Sequence, residues 1–265
     1  EAVYEQIADP AAAPIFTYGH IIHNTAVVRD LENKGVVVIV GEEGLAAVTE
    51  GTVIIRAHGA PRRIHRLIAK KGLKKVDATC PYVRRIHEIV EKASGAGQEI
   101  IIAGSPKHPE VEGIIGWAES ITHVIETPEE AAALAKNLGN TGLIVAQTTF
   151  NHNKFQDIVD IFAKRGYNGN VVNTICNATK ERQLEAERIA KDVDVMFVIG
   201  DAHSSNTAKL YEICRKECAD TYFVQTLKDL PLDLRGATTA IGITAGASTP
   251  NNIIEEVQTY ARTKF

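Results

Sequence analysis

The sequence predicts an α/β fold of three small, pseudo-repeated sub-domains with mostly parallel sheets. Apolar strands alternate with helical periodicity along the whole chain, the pattern of parallel strands joined by crossover helices. In each third of the chain an apolar strand runs directly into a small polar cluster. The first two thirds close on a cysteine that precedes a helix start, Cys80 and Cys176, ninety-six residues apart. That period is too long for a solenoid, so the repeats read as separate sub-domains. Their bounds fall at 1–80, 81–176 and 177–265.

In the first third, strands are expected near 14–18, 36–40, 52–57 and 75–78, with helices near 24–33 and 61–71. The second carries strands near 99–103, 122–126, 142–147 and 170–174, and helices near 81–95, 109–118, 128–137 and 151–165. In the last third the strands fall near 194–199, 220–225 and 237–243, and the helices near 177–191, 204–219 and 249–262. The segment Glu1–Ala8 reads as the middle of an amphipathic helix with no N-cap, and further residues are expected upstream.

A chain of 265 residues can bury a large core, and 45% hydrophobic with 23% charged residues is an ordinary globular balance. The formal charge of -4 and the pI near 6.2, with no basic face or run, argue against nucleic acid as a partner. No stretch approaches the ~20 apolar residues of a membrane helix, and no secretory leader is visible. Four scattered cysteines suit a reducing, cytoplasmic setting better than a disulfide framework. Cys214 and Cys218, at i and i+4, complete an apolar helix stripe with Leu210 and Ile213 and read as core. Cys80 and Cys176 each end a strand-rich run; with Pro81 in the first turn of one helix and Asn177 capping the other, both are placed to ligate metal.

The polar clusters each admit two readings. His20 and His23 follow the first strand at a spacing that fits a surface or capping role as well as a ligand. His58, between a buried strand and the Gly59 turn, is either hydrogen-bonded structure or a site residue. In His108-Pro109-Glu110, the carboxylate suits a helix first turn. Desolvated, it would also serve as a proton donor. Gln147-Thr148-Thr149 puts hydroxyls at a strand's C-terminal end. Gly200-Asp201-Ala202-His203-Ser204-Ser205-Asn206 is a strand, a glycine turn and small polar residues at a helix start. That is an anion cradle or a simple cap. Ala245-Gly246-Ala247-Ser248 repeats the architecture, with Ser248 or Thr249 capping the last helix. No P-loop or G-x-G-x-x-G follows any strand, so a nucleotide cofactor is not indicated. A zinc hydrolase site built from His20, His23, His58 and Cys80 is a further reading, although those spacings match no zinc pattern.

As a set, His23-Asn24, Ala57-His58-Gly59, Asp77-Ala78-Thr79-Cys80-Pro81, His108-Pro109-Glu110-Val111-Glu112-Gly113, Gln147-Thr148-Thr149, Cys176, Ser204-Ser205-Asn206 and Ala245-Gly246-Ala247-Ser248 resemble the LytB/IspH family. These are the 4-hydroxy-3-methylbut-2-enyl diphosphate reductases, which end the methylerythritol phosphate route to isoprenoids. The motifs occur in family order over nearly the whole chain. The resemblance implies a trefoil of the three sub-domains around a central 4Fe–4S cluster, and a reductive loss of the substrate's allylic hydroxyl. It implies Cys80 and Cys176 as metal ligands. His23, His58, His108, Thr148, Ser204, Ser205, Asn206 and Ser248 would be substrate contacts, with Glu110 the proton source and Thr148 and His108 in its relay. A ferredoxin or flavodoxin would deliver electrons.

The sequence departs from the family in one respect: the first cluster cysteine, in a Gly-Phe-Cys-type motif, has no counterpart here. That motif, and the opening strand that belongs with the third sub-domain, are expected upstream of Glu1. The rival within the resemblance is a truncated or cluster-free homologue that only binds a phosphorylated metabolite.

Overall fold

The computed structural model describes residues 2–22, 24–138, 141–231 and 239–264. Within them lie eleven strands in three parallel sheets. The first sheet contains β1 (Ile15–Tyr18), β2 (Val37–Ile39), β3 (Thr52–Ile55) and β4 (Lys74–Asp77), in the order β2-β1-β3-β4. The second contains β5 (Glu99–Ala103), β6 (Thr122–Ile125), β7 (Gly142–Ala146) and β8 (Asn170–Val171), in the order β6-β5-β7-β8. The third contains β9 (Val195–Ile199), β10 (Thr221–Val224) and β11 (Ile241–Ala245), in the order β10-β9-β11. Every pairing is parallel. The same order therefore opens each sheet, and a fourth strand follows in the first two.

The chain forms two compact units. One comprises Glu1–Ile22, Ala26–Thr148 and Asn153–Thr174 and holds the first two sheets; the other comprises His23–Thr25, Thr149–His152 and Ile175–Phe265 and holds the third.

Parallel strands covered by helices on both faces must be apolar on both, and the central strands are. Val53, Ile54 and Ile55 of β3, Ile100, Ile101 and Ile102 of β5, and Met196 through Ile199 of β9 expose no surface. Edge strands differ. β4 presents Lys74 and Lys75, and β8 is only two residues long; charge in one and shortness in the other discourage pairing with another chain.

Helices α1 (Ala2–Ile7), α2 (Thr25–Asn33), α3 (Gly41–Ala47) and α4 (Arg62–Lys70) belong with the first sheet's stretch of sequence. The second stretch carries α5 (Pro81–Gly95), α6 (Pro109–Ile115), α7 (Pro128–Leu134) and α8 (His152–Lys164), and the third α9 (Asn177–Lys191), α10 (Ser205–Glu217) and α11 (Asn251–Lys264). Proline at the first position of α5, α6 and α7 fixes each helix start. Thr127 and Glu130 add a full capping box to α7. Cys214 and Cys218 pack in the core with Ala186, Ala190, Met196 and Leu210.

Three elements differ from those expected, and the first two differences have physical causes. α3 was not expected, because two glycines in seven residues weaken its propensity; the fully buried Leu45 anchors it. The strand expected over 170–174 pairs only at Asn170–Val171. Beyond it, Thr174 replaces backbone with side chain: its hydroxyl accepts from the Ala146 N–H at 2.8 Å and donates to the Ala146 carbonyl. The last strand begins at Ile241, and residues 237 and 238 of its expected range lie outside the described residues.

Thr174→Val keeps the shape and removes both bonds, leaving two backbone groups of β7 unserved. The expected cost is about 1–3 kcal/mol. A lower urea midpoint at unchanged slope is the measurement that checks it.

Candidate active site

Strand order decides where a site can form. In each sheet the first strand has its second and third strands on opposite sides, so the chain reverses direction at β1/β3, β5/β7 and β9/β11. In parallel sheets the crevice at the strands' C-terminal ends beside such a reversal is the place for a ligand. His58 follows β3, His108 and Glu110 follow β5, and Thr148 follows β7. Ser204, Ser205 and Asn206 follow β9, and Ser248 follows β11. Cys80 and Cys176 follow the edge strands β4 and β8.

In the first unit the β3 loop turns at Gly59, with φ +74°. Four backbone and side-chain bonds lock this turn. The Gly59 N–H donates to Arg56 O at 3.0 Å, Cys80 N–H to Ala57 O at 2.9 Å, Arg56 Nε to Gly59 O at 3.3 Å, and Trp117 Nε1 to Ala60 O at 3.0 Å. The half-buried His58 ring so held meets His108 edge to face, with ring centres 5.5 Å apart. His108 is the N-cap of α6, its Nδ1 accepting from Glu110 N–H at 3.1 Å. That bond requires Nδ1 unprotonated, leaving Nε2 as the ring's donor.

Glu110 is 2% exposed. Its Oε1 accepts from the Thr148 N–H at 2.6 Å and its Oε2 from the Thr148 hydroxyl at 2.7 Å. Burial pushes its pKa up to about 7, although both Thr148 bonds pull the other way. Near neutral pH the group thus holds a transferable proton in a dry place, what a general acid requires. A groove of about 420 Å³ lined by Val3, Ile21, Ala57, Ala78 and Thr79 borders the loops carrying His58 and Cys80.

In the second unit Ser204 caps α10, accepting from Thr207 N–H at 3.3 Å, so the simple cap is realised by this side chain. The Ser205 hydroxyl lies 3.2 Å from that of Thr149. Asn206 is 5% exposed, and neither atom of its side-chain amide has a partner among the described residues. A buried amide in that condition is costly unless a ligand completes it. A methyl group on Gly200 would lie 2.5 Å from Thr207 Oγ1, so glycine is what lets α10 start this close to β9. Asn24 Nδ2 donates to Ser248 O at 2.7 Å, joining the segment after β1 to the loop after β11. His23 lies outside the described residues. A larger groove, about 520 Å³, is lined by Ile189, Val193, Ile241 and Ala261 and touches none of these residues.

Cys80 and Cys176 are alike locally. Each is a half-buried free thiol at the N-cap of a fifteen-residue helix, with φ/ψ of -53°/135° and -60°/134°, and neither side chain is used for capping. Asn177, expected as the cap, is the first helical residue. Cysteine sulfurs are the usual ligands of iron–sulfur clusters, and two half-buried thiols left free by their helix caps fit that use. No group of three His, Cys, Asp or Glu that could hold a metal occurs among the described residues, and His20, His58 and Cys80 therefore form no zinc site there.

The sequence reading missed Asp201. Its carboxylate accepts from Thr25 N–H at 3.0 Å, Thr25 Oγ1 at 2.7 Å and His203 N–H at 2.8 Å. Burial raises its pKa, yet these bonds outweigh that and hold it below the usual carboxylate range. An Asp directly after the strand-ending Gly200, two residues before the N–H it caps, was the available signal.

Because Glu110 ionises more readily unfolded, near 4.5, than folded, near 7, it stabilises the fold least at high pH. Urea midpoints should fall as pH rises from about 5 to 8. In Glu110→Gln this part of the slope should be missing.

The LytB protein family profile matches residues 1–262. The 4-hydroxy-3-methylbut-2-enyl diphosphate reductase of Thermoanaerobacter sp. (strain X514) is 42% identical over 258 residues, covering 97% of this chain and 88% of its own. That of Caldanaerobacter subterraneus subsp. tengcongensis is 40% identical over 257 residues, with the same coverage. Among solved structures, the Plasmodium falciparum E-1-hydroxy-2-methyl-but-2-enyl-4-diphosphate reductase superposes with a TM-score of 0.87 at 26% identity, over 97% of this chain and 82% of that one. An (E)-4-hydroxy-3-methyl-but-2-enyl diphosphate reductase, described as the terminal enzyme of the non-mevalonate pathway, gives 0.67 at 38% identity, over 98% and 92%. With the profile spanning almost every residue and relatives near 40% identity along the same length, this chain belongs to the LytB family.

Proposed function

We infer that this chain reduces 4-hydroxy-3-methylbut-2-enyl diphosphate to isopentenyl and dimethylallyl diphosphates, the last step of the methylerythritol phosphate route. One observation carries most weight beside the family: polar residues stand at the strand ends of each reversal, with a fully buried carboxylic acid among them. The reaction takes up two electrons and two protons, breaks the allylic C–O bond, forms a C–H bond and releases water.

Cys80 and Cys176 would hold a 4Fe–4S cluster as thiolate ligands, and that group would supply the two electrons one at a time. The protein's own tasks are binding and proton supply. His58, His108, Ser204, Ser205, Asn206 and Ser248 hold the diphosphate, together with His23, and Thr148 is a further substrate contact. Mostly neutral donors fit a chain of net charge -4: they bind the anion by direction rather than by a basic patch. Glu110 gives its proton to the departing hydroxyl. Thr148, already bonded to both Glu110 oxygens, and His108, bonded through Nδ1 to the Glu110 N–H, hold that acid at one orientation.

The sub-domains are taken as 1–80, 81–176 and 177–265, one to each sheet. A ferredoxin or flavodoxin is the electron donor, and free thiols suit a reducing cytoplasm.

Protein purified without oxygen should be brown, carry iron and sulfide in cluster stoichiometry, and release water from the allylic alcohol when given a reductant. Colourless, folded protein that binds a phosphorylated metabolite without turnover would favour the binding homologue instead. Cys80→Ser and Cys176→Ser should each strip the iron; iron content and visible absorbance that survive would remove those residues from the ligand set. Glu110→Gln should keep iron and substrate affinity but lose roughly 10²-fold in turnover. In the parent enzyme turnover should decline as pH rises through about 7, where Glu110 loses its proton. A profile unchanged by the substitution would show another acid at work.

A further inference from the structure

One buried histidine takes no part in the chemistry above and yet touches the elements that carry it. His87 lies on α5, the helix Cys80 caps, and is 3% exposed. A methyl group on Gly59 would lie 2.6 Å from His87 Cε1, so the ring packs directly under the turn that presents His58. A methyl on Gly113, in α6 behind Glu110, would lie 3.3 Å from His87 Nε2 and 3.5 Å from the His58 carbonyl oxygen. The ring also stacks on Trp117, with centres 5.3 Å apart and planes 16° from parallel. Trp117 in turn binds the Ala60 carbonyl, and Arg62 N–H binds the Gly116 carbonyl at 3.3 Å.

Two glycines on separate elements thus leave a slot that one flat imidazole fills. That ring lies between the His58 turn and α6, whose N-cap His108 stands 5.5 Å from His58, ring centre to ring centre. The ring is neutral: burial first, then the nearby His65, lowers its pKa to about 4. Its Nε2 has no hydrogen-bond partner among the described residues, so it contributes shape rather than a bond. A phenyl ring would overfill the slot and alanine would leave it hollow.

We propose that His87 is a positioning residue, a spacer between the His58 turn and α6 that sets the geometry of the imidazole pair gripping the diphosphate. This inference rests on the proposed function for the identity of the ligand, and on geometry for the spacer. A spacer error should appear in binding more than in chemistry. His87→Ala should raise KM for the diphosphate substrate about ten-fold while kcat stays within about three-fold and iron content is unchanged. Gly113→Ala offers the complementary test: alanine favours the helix, while its methyl would lie 3.3 Å from His87 Nε2, so ring or helix must give by a few tenths of an ångström. It too should raise KM.

Inorganic pyrophosphate, titrated calorimetrically into the parent protein and both variants, separates the two conclusions. If the parent binds pyrophosphate but does not reduce the allylic alcohol, the proposed reaction falls, and weaker binding by the variants still supports the spacer. Unchanged KM and unchanged pyrophosphate affinity in both variants, even with a lower melting temperature, would make His87 ordinary core and overturn the proposal. A parent that binds no pyrophosphate would overturn it as well.

Discussion

Strand order is the constraint on which the site depends. A parallel strand whose second and third partners lie on opposite sides leaves an opening at its C-terminal end, because the two crossovers depart in opposite directions. β1, β5 and β9 each stand in that position. The loops after these strands and after β3, β7 and β11 are therefore free to hold polar side chains, while the strands themselves are apolar on both faces. Residues such as Glu110 and Asn206 can be buried at the sheet ends without disturbing the cores beneath them.

Burial at those ends changes what the residues do. Glu110 receives two hydrogen bonds that favour its ionised form, and still desolvation wins. The outcome is a carboxylic acid still about half protonated near neutral pH. Asp201 shows the opposite balance: three donors from Thr25 and His203 more than offset its partial burial, and it stays ionised. The Glu110 carboxyl is pushed toward its neutral form and the Asp201 carboxylate ties down a loop; the depth of burial set against the donors around each decides which.

The glycines at the site act through the space they leave. Gly59 and Gly113 admit the His87 ring, and Gly200 admits Thr207 against the end of β9. Each lets two backbones or a backbone and a ring approach more closely than a Cβ would permit. A close approach holds a loop at a defined distance without spending a polar group on the task, which keeps the polar groups available for a ligand.

Periodicity and punctuation in the sequence determined the element order, because strands buried on both faces must be continuously apolar and several helices between them, α5, α6, α7 and α10, carry proline or serine at their starts. The motif residues stood out for the same reason: polar side chains directly follow such strands, where they can cap a helix, as His108 and Ser204 do, or meet a ligand. α3 was hidden by its two glycines, and the short pairing of β8 by the Thr174 side chain standing in for backbone. Only the tertiary structure decided that Glu110 is desolvated, that Asp201 reaches back to Thr25, and that His87 fills a slot between Gly59 and Gly113. Those properties depend on contacts between residues far apart in the chain, and a linear pattern records spacing along one element rather than the distance between two.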